Sequence, residues 1–375
     1  MKNNPTRLVR FTLPAMLLTG ALLYAGPLNP PAGPITGTGK TLTEVEPRIA
    51  INSTNTPGDA DSLFKITQPG SYYLTGNISG VVGRSGLKIQ ADGVTVDLNG
   101  FKLIGVAGSL DGVNIPNVQR SVTVRNGTIA DWGGDGVNGA FSLVLGEFEN
   151  LNVLNCGGSA ISINDIGVVR HCNVYNNATG ITVGSRTLIT GCTATFNSST
   201  GIAMGHASTV IDCVVGNNTG RGIIALGGGG AILDSTVFGN GNEGINADTR
   251  MTVARCTVTV NSLHGIVLGT GCVAKDNTCA FNGNFGFGAG INVIGSDNRI
   301  EGNTCTTADR GIDVDAAGNI IIKNTCTGNT TNWDIVANNI YGPIIDRSAP
   351  ASPAVLGNAA ASTLATTDPN ANFTY

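Results

Sequence analysis

Apolar and polar residues alternate over very short stretches of this chain, and the same stretch recurs at a nearly constant interval. A Gly-Ile pair followed by one variable and one apolar or small residue returns about every 21 residues. These pairs begin at Gly180, Gly201, Gly222, Gly244, Gly265, Gly290 and Gly311. Related pairs at Gly112, Gly136 and Ala160 extend the series towards the N-terminus. A fixed period of this length is typical of repeat architectures, in which each unit packs on its neighbours.

Each repeat predicts short strands separated by tight bends. Ile181 and Val183 alternate with Thr182, which indicates a strand with one buried face. In the same coil, Cys192 and Ala194 again lie two residues apart. Gly and Asn separate the strands, and both tolerate the left-handed backbone conformation that such bends need. Stacking the coils at a strand spacing of about 4.8 Å would bury a continuous apolar core.

The repeated unit resembles that of right-handed parallel β-helix proteins with the pectate-lyase-like fold. It reads Gly-Ile-x-Val, then a second Ile, then Cys or Asn followed two residues later by Val or Cys, and a closing Asn. The resemblance covers roughly residues 64–345 and extends to bacterial exported proteins of the NosD-like repeat type. It implies an all-β chain, a single-stranded right-handed parallel β-helix of about 12 coils with roughly 21 residues each. It implies little about activity, because the repeated positions are the buried ones.

The pattern divides the chain into four predicted segments. Residues 1–25 join positive residues to an uncharged apolar stretch, which indicates a signal peptide; an uncleaved membrane anchor is the alternative. Residues 26–62 are rich in Pro, Gly and Thr and form a linker or N-terminal cap. The β-helix occupies 63–347, and 348–375 is a tail without the coil pattern. We therefore expect an exported protein that is secreted, periplasmic or on the cell surface.

Composition excludes several classes of function. Charged residues make up 12% of the chain and hydrophobic residues 41%, which is too apolar for a disordered protein. A net charge of -4 and a pI near 5.3 leave no basic surface for nucleic acid. Lys40 follows a glycine, but Pro34 stands where a phosphate-binding loop needs glycine, so we expect no nucleotide. No stretch after the signal peptide is apolar enough for a membrane span.

The nine cysteines raise the question of disulfides in an exported chain. Alignment of the coils places many of them in one inward-facing column with Ser and Asn: Cys172, Cys192, Cys213, Ser235, Cys256, Asn277, Asn303 and Asn324. Cys279, Cys305 and Cys326 share a second column two residues later. We expect stacked, buried thiols beside an Asn ladder. Oxidation of neighbours such as Cys305 and Cys326 is the alternative.

Candidate chemistry lies on the strand that opens each coil, because the resemblance implies that substrates bind along this first parallel sheet. Asp313 and Asp315 would face outward on one strand, about 6.5–7 Å apart. That separation suits a glycosidase acid/base pair or shared calcium ligands. Solvated surface charge beside Arg310 is the simpler interpretation.

Further candidate residues lie elsewhere on the predicted helix. His264 precedes glycine as in the GHG segment of polygalacturonases, but Asp248 stands alone where that family has an adjacent Asp pair. Asn246 and Asn292 would face outward as binding residues. Trp132 is a platform for a sugar ring or a packing residue. A charge ladder at the second bend is a weaker lyase candidate and consists of Asp212, Asp234, Arg255 and Asp276.

Two classes of function follow. Short, regular and nearly neutral bends favour a non-catalytic module, either structural or binding a carbohydrate or surface, with a polysaccharide or cell-envelope component as partner. The alternative is a polysaccharide lyase or glycoside hydrolase that acts on an acidic polysaccharide along the first sheet, with calcium as its candidate cofactor. A NosD-like role in metal maturation is the third hypothesis, and three His and four Met give it little support.

Overall fold

The computed structural model describes residues 46–283, 286–346 and 366–374, apart from the side chains of residues 140–143. These residues form a solenoid of parallel strands without a helix. The described part therefore has no helix that could cross a membrane. The predicted signal peptide, residues 1–25, lies outside the described residues, as do most of the predicted linker and most of the predicted tail.

Each turn of the solenoid contributes one strand to each of three parallel sheets. The first sheet contains Ser62–Ile66, Ser85–Ile89, Val113–Asn114, the starts of Val137–Leu154 and Ser159–Arg170, Thr179–Val183, Ile202–Met204, Ile223–Ala225, Ile245–Ala247, Ile266–Leu268, Ala289–Val293, Arg310–Val314 and Thr331–Ile335. The second sheet contains Ile49–Ala50, Gly70–Tyr73, Val94–Asp97, the start of Thr123–Ala130, the middle of Val137–Leu154, the end of Ser159–Arg170, Leu188–Thr190, Thr209–Ile211, Ala231–Leu233, Thr252–Ala254, Val273–Lys275, Arg299–Glu301, Ile320–Ile322 and Ile340–Tyr341.

The third sheet closes each turn. It contains Ile78–Ser79, Lys102–Ile104, the ends of Thr123–Ala130 and Val137–Leu154, Asn173–Tyr175, Thr193–Thr195, Val214–Gly216, Thr236–Phe238, Thr257–Thr259, Thr278–Ala280, Thr304–Thr306, Thr325–Thr327, Asn372–Thr374 and Ile344–Asp346. Gln119–Arg120 is a short additional strand that pairs with Val137–Leu154. The first, second and third bends follow the first, second and third sheets in each turn.

The solenoid has about 14 turns of about 21 residues, whereas the Gly-Ile series predicted about 12. The additional turns come from residues before the first clear Gly-Ile pair, where Ser62–Ile66 and Gly70–Tyr73 already pair with later coils. Ile49–Ala50 joins the second sheet from within the segment interpreted as a linker. At the other end, Asn372–Thr374 joins the third sheet from within the predicted tail. The solenoid therefore extends beyond the residues in which the repeat can be recognised in the sequence.

The core lies between the three sheets and follows the predicted alternation. Ile181 and Val183 are buried and Thr182 is partly exposed. Cys192 and Ala194 are buried in the same coil. Because equivalent residues of successive coils stack on one another, the apolar side chains form one continuous cluster along the solenoid.

Asn side chains form ladders at all three bends, whereas the sequence predicted a ladder only at the second. At the second bend, the backbone N–H of Cys256 donates to Asn277 Oδ1 at 2.9 Å, and Asn277 Nδ2 donates to Asn303 Oδ1 at 2.9 Å. The third bend carries the longest ladder, Asn177, Asn197, Asn218, Asn240, Asn261 and Asn282. Asn298, Asn319 and Asn339 form the ladder at the first bend. These amides satisfy backbone groups that the bends would otherwise leave buried and unpaired.

All nine cysteines are buried free thiols, so the predicted inward orientation is confirmed and no disulfide is formed. Burial raises the pKa of Cys156 and of Cys256 to about 12. Thiols of this kind are inert packing groups, because the reactive thiolate is suppressed.

Candidate functional site

The outer face of the first sheet carries one side chain from the middle of each strand. In register order these are Lys65, Lys88, Asn114, Asn138, Ser162, Thr182, Ala203, Ile224, Asn246, Val267, Asn292, Asp313 and Asp334. The face therefore changes along the solenoid, from lysines at the N-terminal end through small and apolar residues to carboxylates at the C-terminal end. Asn292, Asp313 and Asp334 occupy this column in the last three coils.

Five side chains of these coils form one hydrogen-bonded group, which we call the carboxylate cluster: Asn292, Arg310, Asp313, Asp315 and Asp334. Arg310 Nη1 donates to Asp313 Oδ2 at 3.2 Å, and Arg310 Nε lies 3.1 Å from Asp334 Oδ2. Asn292 Nδ2 donates to Asp315 Oδ2 at 2.9 Å. Asn292, Asp313 and Asp315 were predicted as site residues from the sequence, whereas Asp334 was not. The signal for Asp334 was the repeat register, which pairs it with Asp313.

Asp313 and Asp315 differ sharply in their surroundings. Asp315 is exposed, as the interpretation of solvated surface charge requires. Asp313 is 5% exposed, which that interpretation does not account for. Burial, with a smaller contribution from the neighbouring Asp315, raises the pKa of Asp313 to about 6, although Arg310 acts in the opposite direction. The cluster thus contains one carboxyl group that holds its proton in weakly acidic solution.

His264 lies on the same side of the solenoid, in the column of residues that precede the first-sheet glycines. Its Nδ1 accepts a hydrogen bond from the backbone N–H of Ala289 at 3.1 Å. Burial lowers its pKa, although the charges of Glu243 and Asp315 act in the opposite direction. Because Nδ1 is occupied as an acceptor, the neutral imidazole presents Nε2–H as a donor and has no free lone pair. This geometry suits a binding group better than a general base.

Asp248 and Asn246 lie on the same face but at a distance from the cluster. The register places Asn246 three rungs before Asp313, with Val267 and Asn292 between them. Three strand spacings correspond to about 14 Å. Asp248 is three rungs before Asp315 by the same register. These two residues could contact the same extended polymer as the cluster, but they share no reaction centre with it.

Trp132 is not a binding platform. The side chain is 1% exposed, and its Nε1 donates to the backbone oxygen of Leu103 at 3.2 Å. A Cβ atom on Gly86 would lie 2.9 Å from the indole ring, which shows how closely the backbone packs against it. Of the two roles that the sequence left open for Trp132, the structure supports packing, because neighbouring coils cover the ring.

The carboxylate cluster offers few ligands for a metal ion. Within the described ranges, no group of three or more His, Cys, Asp or Glu side chains is arranged to hold a metal ion. Calcium takes six to eight oxygen ligands. Asp313 and Asp315 supply two carboxylates, and Arg310 already occupies one of them. The calcium site therefore stays a prediction.

The charge ladder at the second bend lies away from the first sheet. Its four residues all have positive φ at the bend, and Arg255 binds Asp234 through two contacts of 2.6 Å. Both side chains are substantially exposed. Arg255 and Asp234 therefore form a surface ion pair between two coils, with a modest contribution to stability.

Comparison with known proteins agrees with this architecture. A family model described as a right handed beta helix region matches residues 169–296. The chain has the fold of a right-handed parallel β-helix. The Azotobacter vinelandii mannuronan C-5 epimerase AlgE4 A-module is similar in structure, with 14% identity and a TM-score of 0.57 over 73% of this chain and 91% of the module. No curated protein matches the sequence.

Two further solved structures resemble this β-helix. The periplasmic alginate epimerase AlgG has 11% identity and a TM-score of 0.51, covering 77% of this chain and 78% of its own. The pectate lyase Pel9A has 14% identity and a TM-score of 0.42, covering 59% of this chain and 64% of its own. At these identities the matches to AlgE4 and AlgG establish the fold alone.

Proposed function

We propose that this β-helix binds a polysaccharide along the outer face of its first sheet, with the carboxylate cluster as the recognition centre. One observation carries the proposal. Arg310 fixes Asp313 and Asp334, and Asn292 fixes Asp315, so donors and acceptors for sugar hydroxyls are ordered before a ligand arrives. Pre-ordered groups lose less conformational entropy on binding. His264 adds an Nε2–H donor on the same side of the solenoid.

The charge of the cluster favours a neutral glycan. Three carboxyl groups accompany one guanidinium, so the cluster is negative even when Asp313 is protonated. A polyuronate would meet like charge, which is unfavourable unless a cation lies between the two. Calcium would therefore be a partner only if the ligand is a polyuronate. Asn246 and Asp248 would contact the same chain about three rungs away and extend the binding face. An external polysaccharide also requires the export that residues 1–25 predict.

Binding should be measured by calorimetry with neutral polysaccharides and with polyuronates, each with and without calcium. We expect a neutral glycan to bind, and Asn292→Ala or Arg310→Gln to weaken binding at least about tenfold, which corresponds to roughly 1.4 kcal/mol. Asp212→Asn is a matched control, because Asp212 is exposed at the second bend and asparagine tolerates its positive φ. Unchanged affinity in both cluster variants would exclude this recognition centre.

A polysaccharide lyase or hydrolase is the second candidate function, and the raised pKa of Asp313 is the observation that favours it. A carboxyl group with a pKa of about 6 can act as a general acid in weakly acidic solution. Asp315, exposed directly after the same strand, would then be the basic partner. The test is release of reducing ends or of unsaturated products. Asp313→Asn should abolish product formation and leave binding intact, and turnover that survives this variant would rule out the assignment.

A further inference from the structure

An additional strand separates the last two coils of the solenoid on one side. In the first and second sheets, the last coil stacks directly on the coil before it. In the third sheet, Asn372–Thr374 lies between Thr325–Thr327 and Ile344–Asp346 and forms parallel pairs with both. The two coils are therefore one strand spacing further apart on this side, about 4.8 Å. We call the position that Asn372–Thr374 occupies the acceptor slot.

Pro343 explains why the last coil leaves this slot open. The pairing of Ile321 with Tyr341 places Pro343 in register with Lys323, which makes the second bend with a φ of 60°. The residues that make this bend in the preceding turns, such as Asp276, also have positive φ. The proline ring holds φ near −65°, so Pro343 cannot adopt that conformation. The last coil therefore cannot make the second bend as the preceding coils do, and Ile344–Asp346 pairs with Asn372–Thr374 rather than with Thr325–Thr327.

The C-terminal segment supplies the contacts that the last coil lacks. Asn372 is fully buried and extends the second-bend ladder, because its Oδ1 accepts the backbone N–H of Asn324 at 2.9 Å. Its Nδ2 donates to the backbone oxygen of Gly342 at 3.0 Å. Trp333 Nε1 donates to Thr374 Oγ1 at 2.8 Å. The tail thus carries the ladder residue of the repeat, although its sequence showed no coil pattern.

All contacts in the slot are non-covalent, and they come from a segment that is remote along the chain. Asn372 lies 48 residues from its ladder partner Asn324. Residues 347–365 connect the segment to the last coil, and 19 residues span at most about 60–70 Å when fully extended. That length can reach a neighbouring molecule. An empty slot would leave buried ladder donors without acceptors, which is unfavourable and drives refilling.

We propose that the acceptor slot is a strand-exchange site, which binds the C-terminal segment of a second copy of this chain through the contacts that hold its own. Exchange of an identical element is a low-cost route to dimers, since every contact is already present within one molecule. Pro343 keeps the slot from collapsing when the resident segment leaves. The chemistry recognised is an extended Asn-x-Thr strand with a buried amide at its first position.

The first test uses the full chain with a protease site introduced within residues 347–365. After cleavage, a fluorescent peptide of residues 366–375 is added and its anisotropy is followed. We expect the peptide to replace the resident segment, and a peptide with Asn372→Ala to bind at least about tenfold more weakly. Thr367→Ala is the matched control, because Thr367 is exposed. Absence of uptake, or equal binding of the Asn372→Ala peptide, overturns the proposal.

The second test keeps the chain intact. Isotopically light and heavy populations are mixed, and native mass spectrometry detects dimers of mixed mass. We expect mixed dimers that Asn372→Ala removes while the monomer keeps its strand signature in circular dichroism. Peptide uptake without mixed dimers would overturn exchange between copies. Mixed dimers that persist in Asn372→Ala would place the interface elsewhere.

Discussion

Arg310 donates a hydrogen bond of 3.2 Å to Asp313, and yet the pKa of the Asp313 carboxyl is raised to about 6. Burial of Asp313 on the face of the first sheet outweighs the attraction of the guanidinium. Arg310 is divided between two carboxylates, because its Nε also pairs with Asp334. The cluster therefore keeps a proton within reach of any polymer that lies along this face.

Asp313 should make the stability of the protein depend on pH in a defined direction. Its pKa is about 6 in the folded chain against an ordinary 3.8, so the folded state binds more protons between these values. Its contribution to stability is therefore present below about pH 4 and is lost as pH rises towards 6. Asp313→Asn should raise the free energy of unfolding by about 1–3 kcal/mol at pH 7 and have little effect at pH 4.

Urea denaturation at the two pH values measures this difference between the variant and the natural chain. Asp212→Asn serves as the control, since Asp212 is exposed at the second bend. A change of the same size at both pH values would show that Asp313→Asn acts through packing rather than through its proton.

Trp132 should matter for stability and not for carbohydrate binding. Trp132→Ala removes a fully buried ring and its hydrogen bond to Leu103, and should cost about 3–5 kcal/mol. Trp132→Phe should cost less, because most of the apolar contact is kept. Thermal denaturation gives the stability, and calorimetry with the bound glycan gives the affinity. Weakened binding in a folded Trp132→Phe variant would contradict the assignment of this side chain to the core.

The third-bend Asn ladder should be a major source of stability. Asn261 Oδ1 accepts both the backbone N–H and the side-chain amide of Asn240, at 3.1 and 2.9 Å. Asn261→Ala leaves these buried donors unpaired and should lower the free energy of unfolding by about 2–4 kcal/mol. Asn173→Ala is the control, because Asn173 is exposed on a third-sheet strand and should change stability by less than about 0.5 kcal/mol. Equal effects of the two variants on the melting temperature would show that the ladder is not a special contributor.

The features that could be predicted from the sequence are those that recur in each repeat. Ile181 and Cys192 recur in register, and a stacked coil gives recurring residues recurring neighbours, so their burial was predicted from the sequence. Asn261 recurs in the same way, but the sequence predicted no ladder at its bend. Asp313 occupies the outer position that the pattern predicted, but its burial depends on Arg310 and the coils on either side. The position of Asn372 could not be predicted from the sequence. Its ladder partner Asn324 lies 48 residues earlier, and Pro343 interrupts the bend pattern between them.

The cysteines should not react with alkylating reagents in the folded protein. All nine are buried free thiols, and burial raises the pKa of Cys156 and Cys256 to about 12, which suppresses the reactive thiolate. Iodoacetamide applied near pH 8 should label almost none of them in the native chain. The same reagent should label all nine after denaturation without a reductant, as counted by mass spectrometry.

Fewer than nine labels in the denatured, unreduced chain would mean that neighbouring cysteines of a stack, such as Cys305 and Cys326, are oxidised. Rapid labelling of the native chain would mean that the coils open locally.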